Sequence, residues 1–390
     1  MPGEDVRRPR TVLGPDLVPP PPVPDVRRIA VLRANGLGDY VTCEPALTAL
    51  RHTYPDAEIT LLGARHHRPL VEGRPGPVDR FVAVPLMPGV RAGSGPDAPA
   101  EEVDAFFRAQ QSVGYDLAVQ LHGGGRFSNP VVARLGARVT AGAVTADAAP
   151  LDRSVPYSPN QHEVLRWLDV AAACGAPAVR RQPRLAVTDA EFAEARDVLM
   201  AAGVGPDERV VALHPGATDP RRRWPVERHV TVAAGLPDAR LVLLGGPDER
   251  ELTARAAVAA AEVGVEAVDL AGATGLPGLL GLLAQASLFL GNDSGPRHLA
   301  EAIGTPTVAV FTNANLADVA PLSRVWHRIA VSWESRCSVC GTPVQRECGH
   351  DATALADVAV PEVQDLATEL WRQQVDPLGR DAAFASAPAA

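Results

Sequence analysis

The chain has 390 residues, of which 46% are hydrophobic and 4% aromatic, and its formal net charge at pH 7 is −9. This length predicts two domains rather than one. The acidic balance and the scarcity of aromatic rings argue against nucleic-acid binding. The sequence contains no lysine, which excludes Schiff-base chemistry, pyridoxal-phosphate attachment and a P-loop lysine.

The sequence shows no membrane-spanning or secretory pattern. No run reaches the roughly 18–20 apolar residues that are needed to cross a bilayer. The arginines near the N-terminus are not followed by the apolar segment of a signal peptide. Five cysteines, an odd number, suit a reducing compartment better than a disulfide scaffold. We therefore expect a cytoplasmic protein.

Strand and helix patterns alternate along most of the chain. A buried strand at residues 28–33 is followed by a glycine turn and a helix from Tyr40 to Tyr54, and a similar alternation begins again after residue 188. Two such series predict two doubly wound, mostly parallel sheets of the α/β class. The predicted organisation is a disordered Pro-rich tail (1–28), an N-terminal Rossmann-like domain (29–187), a C-terminal Rossmann-like domain (188–360), a closing helix (361–376) and a disordered tail (377–390).

The segment from Leu288 to Phe311 carries the clearest functional signal. Its pattern predicts a strand, a polar turn, a helix that includes Pro296 in its first turn, and a second strand. Free backbone N–H groups at the start of such a helix form an anion site at the carboxyl end of a strand. We expect the diphosphate of a sugar nucleotide there.

Five short motifs occur in a fixed order along the chain. They are Gly36-Leu-Gly-Asp39 with Pro45-Ala-Leu47, His214-Pro-Gly-Ala217, Arg223-Trp-Pro225, Gly245-Gly-Pro-Asp-Glu249, and Asn292-Asp-Ser-Gly295 with His298. Together these motifs resemble glycosyltransferase family 9, the ADP-heptose heptosyltransferases of lipopolysaccharide assembly, from about residue 29 to about residue 375. The resemblance implies a GT-B fold, with two Rossmann-like domains facing across a cleft, and metal-independent transfer with inversion at the anomeric carbon.

Asp39 follows the glycine turn after the first predicted strand. Inverting transfer needs a base that accepts the proton of the acceptor hydroxyl, and the resemblance implies that Asp39 is this base. The structural alternative is an N-cap carboxylate that binds helix N–H groups.

A leaving nucleotide diphosphate needs positive groups and N–H donors when no metal is used, and the sequence contains no Asp-x-Asp metal clamp. Arg222 falls where the resembled enzymes often have a phosphate-binding lysine, while its neighbour Arg221 is expected to be solvated. Glu249 is expected to accept hydrogen bonds from ribose, or else to be an acid at a helix start. His298 either contacts phosphate or packs on its own helix. The candidate donor-binding residues are His214, Thr218, Arg222, Arg223, Gly246, Glu249, Asp293, Ser294, Gly295 and His298.

The acceptor is expected to bind the N-terminal domain. Gly36 and Gly38 do not complete a dinucleotide fingerprint and instead leave room for close approach of a sugar. His122 and Arg126 flank three glycines after a predicted strand, so that this loop either touches the acceptor or is a flexible turn.

Cys337, Cys340, Cys348 and His350 have short spacings that suit a metal site. Proteins that resemble this chain often carry cysteines here, with the fourth replaced near Ala354. A structural zinc, a disulfide and reduced thiols are the three alternatives, and we expect no catalytic metal and no required cofactor.

The leading hypothesis is an inverting glycosyltransferase that moves a sugar, expected to be a heptose, from an ADP-sugar to a glycan or small-molecule hydroxyl. The alternatives are a sugar-nucleotide epimerase of the same architecture and an inactive nucleotide-sugar-binding protein. The sequence gives no transmembrane segment or nucleic-acid partner, and it is compatible with peripheral association with a membrane.

Overall fold

Two parallel sheets, each flanked by helices, organise the chain. The computed structural model describes residues 11–12, 19–90, 96–344, 346 and 348–373. The chain divides into two compact units, Met1–Pro183 and Arg184–Ala390. The domain boundary that we predicted after residue 187 lies within the first residues of the second unit.

The first unit contains a sheet of seven parallel strands in the order β1-β7-β6-β5-β2-β3-β4. Residues 29–32 in the central strand are fully buried, as expected for an apolar strand covered on both faces. The strands are β1 (Thr11–Val12), β2 (Arg28–Arg33), β3 (Glu58–Gly63), β4 (Arg80–Ala83), β5 (Leu117–Gln120), β6 (Val139–Val144) and β7 (Arg153–Pro156), and the helices are α1 (Leu37–Thr53), α2 (Ala100–Gln111), α3 (Ser128–Arg134) and α4 (Glu163–Ala173).

The second unit contains six parallel strands in the order β10-β9-β8-β11-β12-β13. Its apolar core includes the buried Trp224 and Trp371. The strands are β8 (Arg209–His214), β9 (Ala239–Leu243), β10 (Ala267–Asp269), β11 (Leu288–Asn292), β12 (Thr307–Thr312) and β13 (His327–Ser332), and the helices are α5 (Asp189–Ala201), α6 (Val226–Ala234), α7 (Arg250–Glu262), α8 (Leu276–Gln285), α9 (Gly295–Ile303), α10 (Leu316–Val319) and α11 (Val360–Arg372).

Each sheet has a point where the strand order reverses direction. In the first unit this point lies between β2 and β5, and in the second it lies between β8 and β11. Loops leave such neighbouring strands in opposite directions, which opens a crevice at their carboxyl ends, where ligands of α/β sheets bind. The fold therefore offers one candidate binding edge in each unit.

Several element boundaries differ from the sequence expectation. Helix α1 begins at Leu37 rather than Tyr40, which places Asp39 inside the first turn. The predicted closing helix corresponds to α11, which ends at Arg372. Strands β6 and β7 were not predicted, because β6 consists mainly of small residues and β7 is short and ends in proline.

Residues 19–28 lie in the region where we expected a disordered tail, and here the structure differs from the expectation. Val23 is buried, and its N–H donates to the Tyr54 hydroxyl at 2.9 Å. Arg138 and Arg153 donate to carbonyl groups of Pro24 and Pro21, respectively. The other residues of that predicted tail, except the short strand β1, and the whole predicted tail at 377–390 lie outside the described residues.

Within the part of the chain that the structure describes, no helix is both long enough and apolar enough to span a bilayer.

Candidate functional site

Strands β8 and β11 end side by side in the second unit, at the point where the strand order reverses. Gly291 of β11 is paired with His214, the last residue of β8. The side chain of the fully buried Asn292 accepts a hydrogen bond from Trp224 N–H at 3.0 Å and donates to Pro215 O at 2.8 Å. This amide ties together the loops that follow β8 and β11, and it fixes the floor of the candidate site.

The buried His214 and the half-buried Glu249 form a polar pair above this floor. His214 Nε2 lies 3.1 Å from Glu249 Oε2, and the Gly246 N–H donates to the same carboxylate oxygen at 2.8 Å. Burial on its own would raise the pKa of Glu249, but the contacts with His214 and Gly246 outweigh it and lower this pKa to about 2. Glu249 is therefore a fixed anion and hydrogen-bond acceptor at neutral pH.

Gly216 makes the close packing around Glu249 possible. A Cβ atom at this position would lie only 1.8 Å from Glu249 Oε1 and 2.9 Å from His214 Cε1. Any larger residue would have to displace the carboxylate. The glycine of the predicted His-Pro-Gly-Ala motif is thus explained by a close approach of side chains.

Asp293 is the centre of a second polar network. Its Oδ2 accepts from Asn315 Nδ2 at 2.8 Å and lies 3.6 Å from Arg222 Nη1. Its Oδ1 lies 3.4 Å from the fully buried Arg297 and 3.8 Å from His298 Nε2. Because positive and N–H-bearing groups surround this carboxylate, we expect it to orient Arg222 and His298 rather than to meet an anionic ligand itself.

Helix α9 begins beside this network, with Ser294 as its N-cap and Pro296 in its first turn. The Ser294 hydroxyl lies 3.4 Å from His214 Nδ1 rather than capping the helix. Among the described residues, the buried Nε of Arg222 has no hydrogen-bond partner. The helix start and this guanidinium both offer N–H donors, which is the chemistry of an anion site.

The loop between β8 and α6 contains further candidate residues. Thr218 is exposed, and Arg223 donates from Nε to the Ala217 carbonyl at 2.9 Å. The expectation that Arg221 is solvated is wrong, because its side chain is buried and pairs with Asp219 at 2.6 Å. The predicted donor-binding residues all lie at or near the carboxyl edge of the second sheet. Arg221 belongs to the same loop, but its side chain is buried away from them.

In the first unit, Asp39 lies at the carboxyl edge of β2. Its Oδ2 accepts from the Gly36 N–H at 2.8 Å, as a capping-box residue does, and its Oδ1 pairs with Arg33 Nη2 at 2.7 Å. The Asp39 side chain is still 39% exposed. The capping alternative is thus present in the structure, but it leaves part of the carboxylate accessible to a substrate.

The partners that hold Asp39 in place were not predicted from the sequence. Arg33 is buried, and its Nη2 also contacts Glu163 Oε2 at 2.7 Å. Glu163 in turn accepts from Trp167 Nε1 at 2.8 Å and pairs with Arg166. Asp39 and Glu163 raise the pKa of Arg33 although burial opposes this shift. An arginine at the end of an otherwise apolar strand was the available signal for this network.

The candidate acceptor residues occupy different environments. His122 is buried, accepts from Ala34 N–H at 3.3 Å, and has its pKa lowered to about 3, mainly by burial and then by Arg33. It is a neutral hydrogen-bonding group at the same edge as Asp39.

The other candidate acceptor residues are more accessible. Gly36 is exposed and Gly38 is partly exposed, whereas Arg126 is exposed and lies 3.6 Å from Asp147.

The second unit also contains a cavity of about 610 Å³, which lies at the opposite edge of its sheet from His214 and Asn292. Its lining includes Arg209, Ala239 and Arg240, which begin strands β8 and β9. It therefore lies at the amino-terminal edge of the sheet. Ligands of α/β sheets bind at the opposite edge, so this cavity is not the candidate site.

Comparison with known proteins agrees with the sequence resemblance. Residues 103–346 match the family model described as glycosyltransferase family 9 (heptosyltransferase). The chain is 26% identical over 290 residues to lipopolysaccharide heptosyltransferase 3 from Escherichia coli, a match that covers 70% of this chain and 80% of that protein.

Two solved structures have a similar fold. One is a family 9 glycosyltransferase from Veillonella parvula DSM 2008, with a TM-score of 0.72 and 18% identity over 89% of this chain and 98% of that one. The other is the E. coli ADP-heptose lipopolysaccharide heptosyltransferase II, with a TM-score of 0.69 and 20% identity over 89% of this chain and 99% of that one.

Proposed function

The chain belongs to glycosyltransferase family 9, and we propose that it transfers a heptose-type sugar from an ADP-sugar to a hydroxyl group, with inversion and without a metal ion. As a member of this family the protein is a glycosyltransferase, and its two Rossmann-like units form the GT-B fold. The sugar, the nucleotide and the mechanism are the parts that the proposal adds.

The observation that carries the proposal is the set of polar groups at the carboxyl ends of β8 and β11. Arg222 lies 3.6 Å from Asp293, which directly precedes the N-cap of α9, and Glu249 is held 3.1 Å from His214. One part of this edge offers N–H donors and positive charge, and the other offers a fixed carboxylate. A nucleoside diphosphate requires both, because its phosphates are anionic and its ribose donates hydrogen bonds.

Each group has a separate role in this proposal. The first-turn amides of α9 and the guanidinium of Arg222 bind the diphosphate and stabilise the charge that develops as it leaves. Glu249 accepts hydrogen bonds from the ribose hydroxyls. His214 and Asp293 hold these groups in position. The positive charge of Arg222 takes the place that a divalent cation has in metal-dependent transfer.

The acceptor is activated by Asp39. The acceptor oxygen attacks the anomeric carbon as Asp39 accepts its proton, and the bond between that carbon and the diphosphate oxygen breaks. The leaving ADP keeps the bonding electrons, so that atoms and charge balance. Arg33 and the Gly36 N–H fix the Asp39 carboxylate through both of its oxygens, which leaves its exposed part in a defined orientation.

The heptose assignment is supported by the relatives described above, which are lipopolysaccharide heptosyltransferases. A lipopolysaccharide core is accordingly the first acceptor to test, followed by other glycans and small-molecule hydroxyls.

The test is a thermal-shift screen of the purified chain against ADP-, GDP- and UDP-sugars. Selective stabilisation by the ADP compounds is expected, and a ligand at a hundred times its Kd stabilises by about 2.7 kcal/mol. Turnover with ADP-heptose should give a product of inverted anomeric configuration by NMR and should persist in EDTA. A preference for GDP or UDP, a retained configuration, reversible loss of activity in EDTA, or conversion of the sugar nucleotide without an acceptor would each contradict part of the proposal.

A further inference from the structure

Three cysteines and one histidine of the second unit lie together between β13 and α11. The ligand-type atoms of Cys337, Cys340, Cys348 and His350 all lie within 4.8 Å of one another, and Cys337 Sγ is 3.8 Å from His350 Nδ1. A tetrahedral zinc ion with bonds of about 2.0–2.3 Å holds its ligand atoms roughly 3.5–3.8 Å apart. The cluster therefore has the composition of a structural Cys3His site and needs only a small contraction to enclose an ion.

The backbone of this segment already points the side chains to one place. Gly341 N–H donates to the Cys337 carbonyl at 2.8 Å, and Cys337 N–H donates to the Thr342 carbonyl at 2.8 Å. Gly341 has a φ of +73° and Gly349 a φ of +69°, so a tight turn follows Cys340 and another separates Cys348 from His350. Glycine is the residue that adopts this conformation without strain.

The charge of the surroundings also fits a bound metal. Three thiolates and one Zn²⁺ carry a net charge of −1, which needs compensation where it is partly buried. Arg221, whose side chain is only 3% exposed, donates from Nη1 to Cys348 Sγ at 3.2 Å and from Nη2 to the Val344 carbonyl at 3.2 Å. A buried guanidinium directed at a cysteine sulfur is the kind of outer partner that orients a metal ligand.

The same contacts join the cluster to the loop that carries Arg222. Arg221 is held by Asp219 at 2.6 Å, and its carbonyl accepts from Ala354 N–H at 2.8 Å. Thr353 Oγ1 donates to the Arg223 carbonyl at 2.6 Å. The segment after His350 and the loop at residues 219–223 are thus bound to each other on both sides of Arg222.

We propose that Cys337, Cys340, Cys348 and His350 bind one zinc ion, and that this ion fixes the loop at residues 219–223 through Arg221. The zinc is structural, because all four of its ligands come from the chain. Because Arg222 lies in this loop, the ion also positions Arg222 as a phosphate ligand. That last step rests on the proposed function, whereas zinc binding and the ordering of the loop do not.

The first experiment measures metal content in the full-length chain purified from zinc-supplemented cells. Elemental analysis is expected to give about one zinc per chain, and replacement by cobalt to give the visible spectrum of a tetrahedral thiolate site. Iron in place of zinc, a Cys–Cys disulfide found by mass spectrometry, or metal-free thiols would each overturn the assignment.

Variants separate the cluster from the rest of the chain. His350→Asn should lose zinc, whereas His350→Cys should retain it, because a fourth thiolate also completes a tetrahedral site. Cys174→Ala removes a buried cysteine of the first unit and should leave the zinc content unchanged. Loss of zinc in the Cys174 control, or full zinc in His350→Asn, would contradict the proposed ligands.

The second experiment tests the link to the loop, with no donor present. Arg221→Gln should weaken zinc affinity by about tenfold, and removal of zinc from the wild type should speed amide hydrogen exchange in peptides that cover residues 217–224. Reloading zinc should restore the slow exchange. If zinc is bound but exchange in these peptides is the same with and without it, the proposed effect on the loop is wrong, whatever the donor proves to be.

Discussion

Asp39 combines the role of a capping residue with that of the proposed base. Its two oxygens contact the Gly36 N–H and Arg33, and an amide side chain would preserve the first contact while it removes the ability to accept a proton. Asp39→Asn is therefore expected to reduce transfer by a factor of about 10²–10⁴ and to leave ADP binding nearly unchanged.

Steady-state kinetics and calorimetric titration with ADP measure these two effects. Asp56→Asn, at an exposed position in the same unit, is the matched control and should have wild-type activity. Near-normal turnover in Asp39→Asn would remove Asp39 from the mechanism.

Arg222 is the side chain whose substitution best tests the contribution of charge at the donor site, because its removal should disturb the structure little. It is partly exposed, and Asp293 is its nearest ionic partner at 3.6 Å. Arg222→Gln is expected to weaken ADP binding by about 1.5–3 kcal/mol, since a hydrogen bond between charged groups is lost. The thermal stability without ligand should change little.

Isothermal titration calorimetry with ADP and with adenosine distinguishes this role from a general disturbance. ADP should bind more weakly to Arg222→Gln while adenosine is affected little, and Arg255→Gln on the exposed surface of α7 should bind both as the wild type does. An equal loss for ADP and adenosine would show that Arg222 does not act through the phosphates.

At the scale of elements, the contact between β8 and β11 depends on Gly291. A Cβ atom at Gly291 would lie 2.6 Å from the His214 carbonyl oxygen, which is backbone and cannot rotate away. Gly291→Ala is expected to destabilise the protein by about 1–3 kcal/mol through overpacking. It should also weaken ADP binding, because the two strands carry His214 and Asn292.

Urea unfolding and ADP titration measure this prediction. Gly76→Ala is the control, since a Cβ atom there meets nothing within 4 Å, and it should change neither quantity. Unchanged stability of Gly291→Ala would mean that the two strands can separate without cost, and that the edge is less rigid than the contacts indicate.

For the whole molecule, four buried histidines predict sensitivity to acid. Burial lowers the pKa of His67, His122 and His327 to about 3 and that of His229 to about 4, against an ordinary value of 6.5. Below pH 6.5 the unfolded chain binds protons that the folded chain does not, so the free energy of unfolding falls as the pH is lowered toward 4.

The variant His229→Phe tests this account. His229 is fully buried and lies against Trp224 at a ring distance of 4.9 Å, a contact that phenylalanine can keep. The loss of stability between pH 8 and pH 5 should be smaller in this variant by about 2 kcal/mol. Chemical unfolding at both pH values measures it, with the exposed His52→Gln as a control. An equal loss in His229→Phe and wild type would exclude His229 as a source of the pH dependence.

The sequence by itself determined the fold class and the family. Apolar runs of strand length alternate with helical patterns, and such alternation has few compact solutions other than parallel sheets covered by helices. The loops can also be located from the sequence alone, because the glycine, proline and polar residues of the motifs each have a strong local conformational preference. Strand β11, helix α9 and strand β12 were therefore predicted in order from a single segment.

Only the tertiary structure decided which side chains meet. Arg33 precedes Glu163 by 130 residues in the chain, yet Arg33, Glu163 and Trp167 form one network around Asp39. Arg221 looked like a solvated neighbour of Arg222 and is instead buried against Asp219 and Cys348. Local propensity acts over a few residues, whereas the partner of a charge depends on strand order, and no pattern within one segment encodes that order.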